Sequence, residues 1–111
     1  MANKPETLIQ TKILYYLKQL KEKGEPIFYE RRQVGGLSYK KGMPDIYCIY
    51  KFVHIEIEIK TPTGELSTMQ EKFRDRCKRD GTPWICVTSV NEVKDYIENL
   101  KELLKDIDFL I

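Results

Sequence analysis

From Phe52 to Lys60 the chain alternates without a break. Val53, Ile55, Ile57 and Ile59 fall on one side, and His54, Glu56, Glu58 and Lys60 on the other. Side chains repeat every two residues only on an extended strand, so this run is a strand with one apolar face. Just before it, Asp45 to Tyr50 (Asp-Ile-Tyr-Cys-Ile-Tyr) reads as a second strand. The connection at Tyr50-Lys51 is so short that an antiparallel hairpin is the natural arrangement.

The remaining elements follow from their punctuation. A helix is expected from about Pro5 to Lys23, capped by Asn3, opened by Pro5 and stopped by Gly24 and Pro26. Ile13, Leu17 and Leu20 form its apolar stripe, and Glu6 and Gln10 extend that stripe toward the N-terminus. A carboxylate on the core-facing side of a helix is unusual. Ile27 to Gln33 is expected as a strand and Val34 to Ser38 as a flexible loop. A helix should span Ser67 to Arg79, with Met69, Phe73 and Cys77 on its apolar side. Trp84 to Thr88 is a last strand, and Asn91 caps a helix to about Lys105. The order αβββαβα predicts an α/β (α+β-like) sandwich around a mixed sheet.

With 111 residues, the chain suits one domain over residues 1–111. It is 41% hydrophobic and 32% charged, the composition of an ordinary globular protein able to bury one core. No apolar run approaches the roughly 20 residues of a membrane span. The segment Met1 to Pro5 lacks the apolar core of a secretory signal. A cytoplasmic setting is therefore expected. Cys48, Cys77 and Cys86 are far apart and form no CxxC pair, which argues for buried thiols in a reducing compartment rather than zinc ligands.

The chemistry concentrates in Gly42-Met43-Pro44-Asp45, followed after twelve residues by Glu58-Ile59-Lys60. Metal-assisted hydrolysis of a phosphodiester needs carboxylates converging on one ion, and a cation near the attacking water or the developing negative charge. The hairpin brings Asp45 and Glu58 to the same end of the sheet. Lys60 follows on the face of Glu58, about 6.6 Å further along the strand, and the Ile59 carbonyl is a further oxygen donor. Alternating Glu and Lys also describes a solvated sheet face, and Pro-Asp commonly opens a turn. The short motif by itself leaves both readings open.

The wider pattern resembles the VRR-NUC (virus-type replication-repair nuclease) family of the PD-(D/E)XK nuclease superfamily. The resemblance covers about residues 6 to 100. It rests on Glu6 and Gln10 in the leading helix, Gly42-x-Pro44-Asp45, Glu58-x-Lys60-Thr61-Pro62-x-Gly64, Ser67-x-x-Gln70, and Gly81 before Trp84-Ile85-Cys86-Val87. It implies an αβββαβ core, here with a C-terminal helix. It also implies Asp45, Glu58 and the Ile59 carbonyl as ligands of Mg²⁺, with Mn²⁺ as a substitute, since an oxygen-only site suits hard cations. Lys60 would orient or deprotonate water and oppose phosphorane charge. Glu6 would act through the metal's water shell, and Gln70 would position the lysine or the substrate. Both latter residues also fit capping boxes, Asn3-x-x-Glu6 and Ser67-x-x-Gln70, and that reading stays open beside the catalytic one.

Glu56 is further from the strand end, where a solvated or salt-bridged role suits it better. His54 lies about 13 Å from Glu58 along an extended strand and is no catalytic base. Without another histidine, a serine or cysteine triad has little support. The net charge of +2 diagnoses no nucleic-acid partner by itself. Its distribution is more telling. Arg31, Arg32, Lys40 and Lys41 lead into the metal motif, and Lys72, Arg76 and Arg79 share one side of a helix. Phosphate contact is the functional reading of both groups and solvation the rival; Tyr39 could stack on an unpaired base.

The expectation is a Mg²⁺-dependent DNA endonuclease selecting flaps, forks or Holliday-type junctions, in phage or bacterial replication or repair. A homodimer is the simplest assembly for cutting a symmetric junction, and no membrane is involved. The segment Asp106 to Ile111 could contribute to a dimer interface or tuck into its own core. The alternative is a nucleic-acid-binding module of the same fold that needs a partner or does not cut.

Overall fold

The computed structural model describes residues 5–32 and 41–110, and for 108–110 the backbone alone. Gln33 to Lys40, Asn3 and the proposed loop and stacking residue Tyr39 lie outside the described residues. The elements, in order, are α1 (Pro5–Glu22), β1 (Ile27–Arg31), β2 (Ile46–Tyr50), β3 (Val53–Ile59), α2 (Thr68–Asp80), β4 (Trp84–Val87) and α3 (Val90–Leu104). A 3-10 turn over Lys105–Leu110 follows. The sheet order is β1-β2-β3-β4, with the first two pairings antiparallel and β3–β4 parallel, so the sheet is mixed. The hairpin turns at Lys51, whose φ of 55° is the left-handed conformation a tight turn requires.

One face of the sheet carries Ile46, Cys48, Tyr50, Ile55, Ile57, Ile59 and Val87 against Ile13, Leu17 and Leu20 of α1 and Val93 and Ile97 of α3. The α1 stripe is therefore the one its spacing predicts. Helix α2 covers the opposite face through Phe73 and Cys77, over β3 and β4. Because β3 is interior in the sheet and covered on both sides, Glu56 and Glu58 are buried like the isoleucines that alternate with them. The polar side of the alternation is thus no solvated face. Below the sheet, Glu25 accepts hydrogen bonds from the Tyr50 hydroxyl at 2.8 Å and Lys101 at 3.2 Å, tying the end of α1 to β2 and α3.

Three expectations need correction. Met69 is exposed, because on the first turn of α2 it is Gln70 that reaches the sheet, at Glu58. Ser89, not Asn91, caps α3: its hydroxyl accepts the Glu92 amide, and Glu92 reaches back to the Thr88 amide at 2.9 Å. Cys86 is exposed, whereas Cys48 and Cys77 are buried as expected. Beyond α3, Ile107 packs against the core, so that part of the terminal segment tucks into its own chain.

The segment entering β2 approaches α2 closely at Gly42. Its φ is +92°, and a Cβ there would lie 2.5 Å from the Met69 carbonyl oxygen. Gly24 also has positive φ, at +87°, but a Cβ there would meet nothing within 4 Å. Gly24→Ala should therefore cost only the left-handed penalty of about 1–2 kcal/mol, and Gly42→Ala clearly more. Urea unfolding of the two variants checks this; equal losses would show that the Gly42–Met69 approach is not tight.

Candidate active site

The antiparallel register places Ile46 opposite Ile57. One step further sets Asp45, at the mouth of β2, across from Glu58 near the end of β3, with side chains on one face. Beyond the last paired residue, the Lys60 amide donates to the Val87 carbonyl at 3.0 Å, which fixes the strand end on β4. Lys60 Nζ then lies 4.0 Å from Glu6 Oε1, so the N-terminal turn of α1 reaches the same corner. From the opposite side, Gln70 Nε2 donates to Glu58 Oε2 at 3.3 Å. Asp45, Glu58, Lys60, Glu6 and Gln70 are thus assembled from β2, β3, α1 and α2.

Gln70 has two attachments. Its side-chain oxygen accepts the Ser67 amide at 2.8 Å while the Ser67 hydroxyl accepts the Gln70 amide at 3.2 Å, a complete capping box. The amide nitrogen left over is the one that meets Glu58. Capping and site contact are therefore compatible here. For Glu6, the proposed capping partner Asn3 is outside the described residues, and the described contact is with Lys60.

Glu58 is 6% exposed, and its Oε1 is buried with no hydrogen-bond partner among the described residues. Burial pushes its carboxyl up to about 7, against the pull of Lys60 and with the help of Asp45 and Glu6. A buried carboxylate oxygen without a donor calls for a proton or a cation. Among the described residues no three His, Cys, Asp or Glu side chains group closely enough to hold a metal by themselves. What the corner offers is a pair of carboxylates on a strand hairpin, a donor set suited to a hard ion that keeps water in its shell.

Glu56, two residues away on the same face, is 4% exposed but fully engaged. Arg32 binds both its oxygens, at 2.6 and 2.7 Å, and His54 Nε2 lies 2.7 Å from Oε2. The salt-bridged expectation for Glu56 holds. Arg32, expected at a phosphate, is turned inward instead: it also donates to the Pro44 carbonyl at 2.8 Å and lies over the Tyr47 ring. A basic residue near a motif gave no sign that a buried glutamate two strands away would claim it. Arg31 and Lys41 are exposed, as are Lys72, Arg76 and Arg79 along α2; Tyr39 and Lys40 lie outside the described residues. Sequence reasoning also missed Cys86, which the parallel register sets beside Glu58.

No protein-family model matches the chain, and neither does any curated protein. Solved structures do. A chain described as "VRR_NUC domain" superposes with a TM-score of 0.68 at 19% identity, over 86% of this chain and 97% of its own. A second, "VRR_NUC domain protein", gives 0.68 at 15% identity over 89% of each chain. The chain has the VRR_NUC nuclease fold. Within that fold the corner just described lies where the first antiparallel hairpin, the leading helix and the capped end of α2 converge. No helix among the described residues is long and apolar enough to cross a membrane.

The raised carboxyl gives a test that needs no substrate. Glu58 holds its proton more tightly in the fold, at about 7 against the ordinary 4.5. Its contribution to stability is complete below pH about 4.5 and is lost as pH rises through about 7. In EDTA, Glu58→Gln should therefore gain on the wild type by about 3 kcal/mol between pH 4.5 and 8. Denaturant unfolding across that range measures the gain; a difference independent of pH would remove the buried-acid assignment.

Proposed function

We propose that this chain is a divalent-metal-dependent nuclease that hydrolyses phosphodiester bonds in branched or otherwise structured DNA. The observation that carries the reading is the buried Glu58 Oε1, without a hydrogen-bond partner among the described residues, in a corner that also holds Asp45 and Lys60. The shared VRR_NUC fold supports it.

Asp45 and Glu58, with the Ile59 carbonyl, would hold Mg²⁺ or in its place Mn²⁺. The ion would supply Lewis-acid polarisation of the phosphate and acidify the attacking water. The chain's own side chains do the rest. Lys60 orients the water and opposes the charge that builds on the phosphorane oxygens. Water adds to phosphorus, one ester P–O bond breaks, and the water proton ends on the departing oxygen. Gln70 keeps the Glu58 carboxylate from rotating, and Glu6 holds the Lys60 ammonium over the site. Exposed Arg31, Lys41, Lys72, Arg76 and Arg79, with Tyr39 and Lys40, would meet the DNA backbone or an unpaired base. A small domain with no recognition helix reads structure in preference to sequence, and a homodimer would present two sites to a symmetric junction. A role in phage or bacterial replication or repair follows by analogy of fold.

The test is cleavage of labelled duplex, flap and four-way-junction DNA in Mg²⁺, Mn²⁺ or EDTA. Cutting should require the ion, favour one branched substrate, and fall about 100-fold or more in Asp45→Ala and Lys60→Ala while circular dichroism stays unchanged. Full activity in purified Asp45→Ala protein would sink the assigned site. Salt-sensitive binding with no cutting by the wild type would favour the binding-module reading instead.

A further inference from the structure

A groove of about 490 Å³ opens at the other end of the polar sheet face, lined by Phe52, His54, Arg76, Thr82 and Pro83 among others. We propose that it binds one unpaired nucleobase of a nucleic-acid strand, with Arg76 on the adjoining phosphate. The proposal rests on the nuclease reading for its purpose and deepens it, by making a single-stranded flank part of the substrate.

The groove presents flat apolar surfaces that are already fixed. The His54 ring stacks on Tyr47 with centroids 5.0 Å apart and planes 5° from parallel. Its Nε2 is bonded to Glu56, which Arg32 grips with two hydrogen bonds. A base that stacks here meets a ring whose orientation is set beforehand, so little freedom is lost on binding. Phe52, at the hairpin turn, is 56% exposed. Pro83 and Thr82 form the wall that follows α2.

The charge of the groove fits the same ligand. The Arg76 guanidinium lies 4.5 Å over the Phe73 ring, and its ion pair with Asp80, at 3.5 Å, is half exposed on both sides. A pair in that setting is worth little in water and gives way readily to a phosphate. The Glu56 oxygens that could repel an anion are already bound by Arg32 and His54. Flat rings beside the Arg76 cation, with no arrangement of donors specific to one base edge among the described lining residues, make a sequence-tolerant stacking site.

Its position ties it to the corner with Glu58. His54 is four residues from Glu58 on the same strand face, about 13 Å along β3. Helix α2 spans the same interval, with Gln70 on Glu58 and Arg76 in the groove. The two places thus lie at opposite ends of the same helix and strand. Inside a duplex a base is paired and stacked on its neighbours, so only an unpaired one can enter.

The test is fluorescence anisotropy in EDTA, which prevents cutting, using a blunt DNA duplex and the same duplex with a single-stranded tail. The wild type should prefer the tailed duplex, and Phe52→Ala should lower that preference about tenfold, as should His54→Gln. Phe52 is exposed, so an unchanged melting temperature for Phe52→Ala would separate lost contact from lost fold. Abasic sites walked along the tail should reproduce the loss at one position in the wild type and add nothing further in Phe52→Ala. Equal wild-type affinity for both duplexes, or a preference that survives both substitutions, overturns the proposal. Failure of the nuclease reading shows elsewhere, as absence of metal-dependent cutting, and leaves this measurement intact.

Discussion

The arrangement of the site depends on the buried pair between Arg32 and Glu56. An ionised glutamate at 4% exposure in the middle strand of a sheet is tolerable only if its charge is matched and its oxygens are bonded. Arg32 meets both conditions with a bidentate grip, and it then does more. Its side chain donates to the Pro44 carbonyl at 2.8 Å, and its own amide donates to the Asp45 carbonyl at 2.6 Å. The backbone that carries Asp45 is therefore held from below by a charge on β3. The pair contributes less as net stability than as a brace: removing either partner would leave the other charge stranded and release the entry to β2.

A second brace comes from the capped end of α2. The Gln70 side chain divides its two ends between two tasks, the oxygen closing the capping box and the nitrogen meeting Glu58. That division fixes which way the amide points, since reversing it would lose both bonds. Gly42 lets the segment before Asp45 lie against the same helical turn, where any side chain would strike the Met69 carbonyl. Asp45 and Glu58 are consequently positioned by one helix terminus from two directions. The glycine, the serine and the glutamine of the motif are parts of one packing arrangement.

How much of this was legible follows from the range of the interactions. The alternation through β3, the hairpin, the α1 stripe and the two acids at one sheet end depend on local periodicity and on a short turn, and all are in the sequence. The capping box at Ser67 is equally local. Misreadings arise where a distant partner decides. Arg32 reads as a surface cation until Glu56 appears two strands away. Met69 has the spacing of a core residue, but at the first turn of α2 the side chain that reaches the sheet is Gln70. Asn91 and Ser89 are both good caps, and the choice between them was settled by Thr88 and Glu92 acting together on the earlier residue. Cys86 alternates like a buried thiol, yet only a parallel register could show it at the open side beside Glu58.

The contrast between the two glutamates of β3 then separates structure from chemistry. They share a strand, a face and nearly the same burial, so desolvation alone cannot distinguish them. Glu56 has every oxygen bonded by the chain itself. Glu58 has a neutral amide on one oxygen, no hydrogen-bond partner among the described residues on the other, and two acids nearby that raise its proton affinity further. A sequence selected only for stability would remove such a group, or supply a second arginine as it does for Glu56. The fold instead keeps the defect and braces everything around it, with Lys60 near enough to moderate the charge but paired toward Glu6. What sets Glu58 apart from Glu56 is therefore its partners and not its burial.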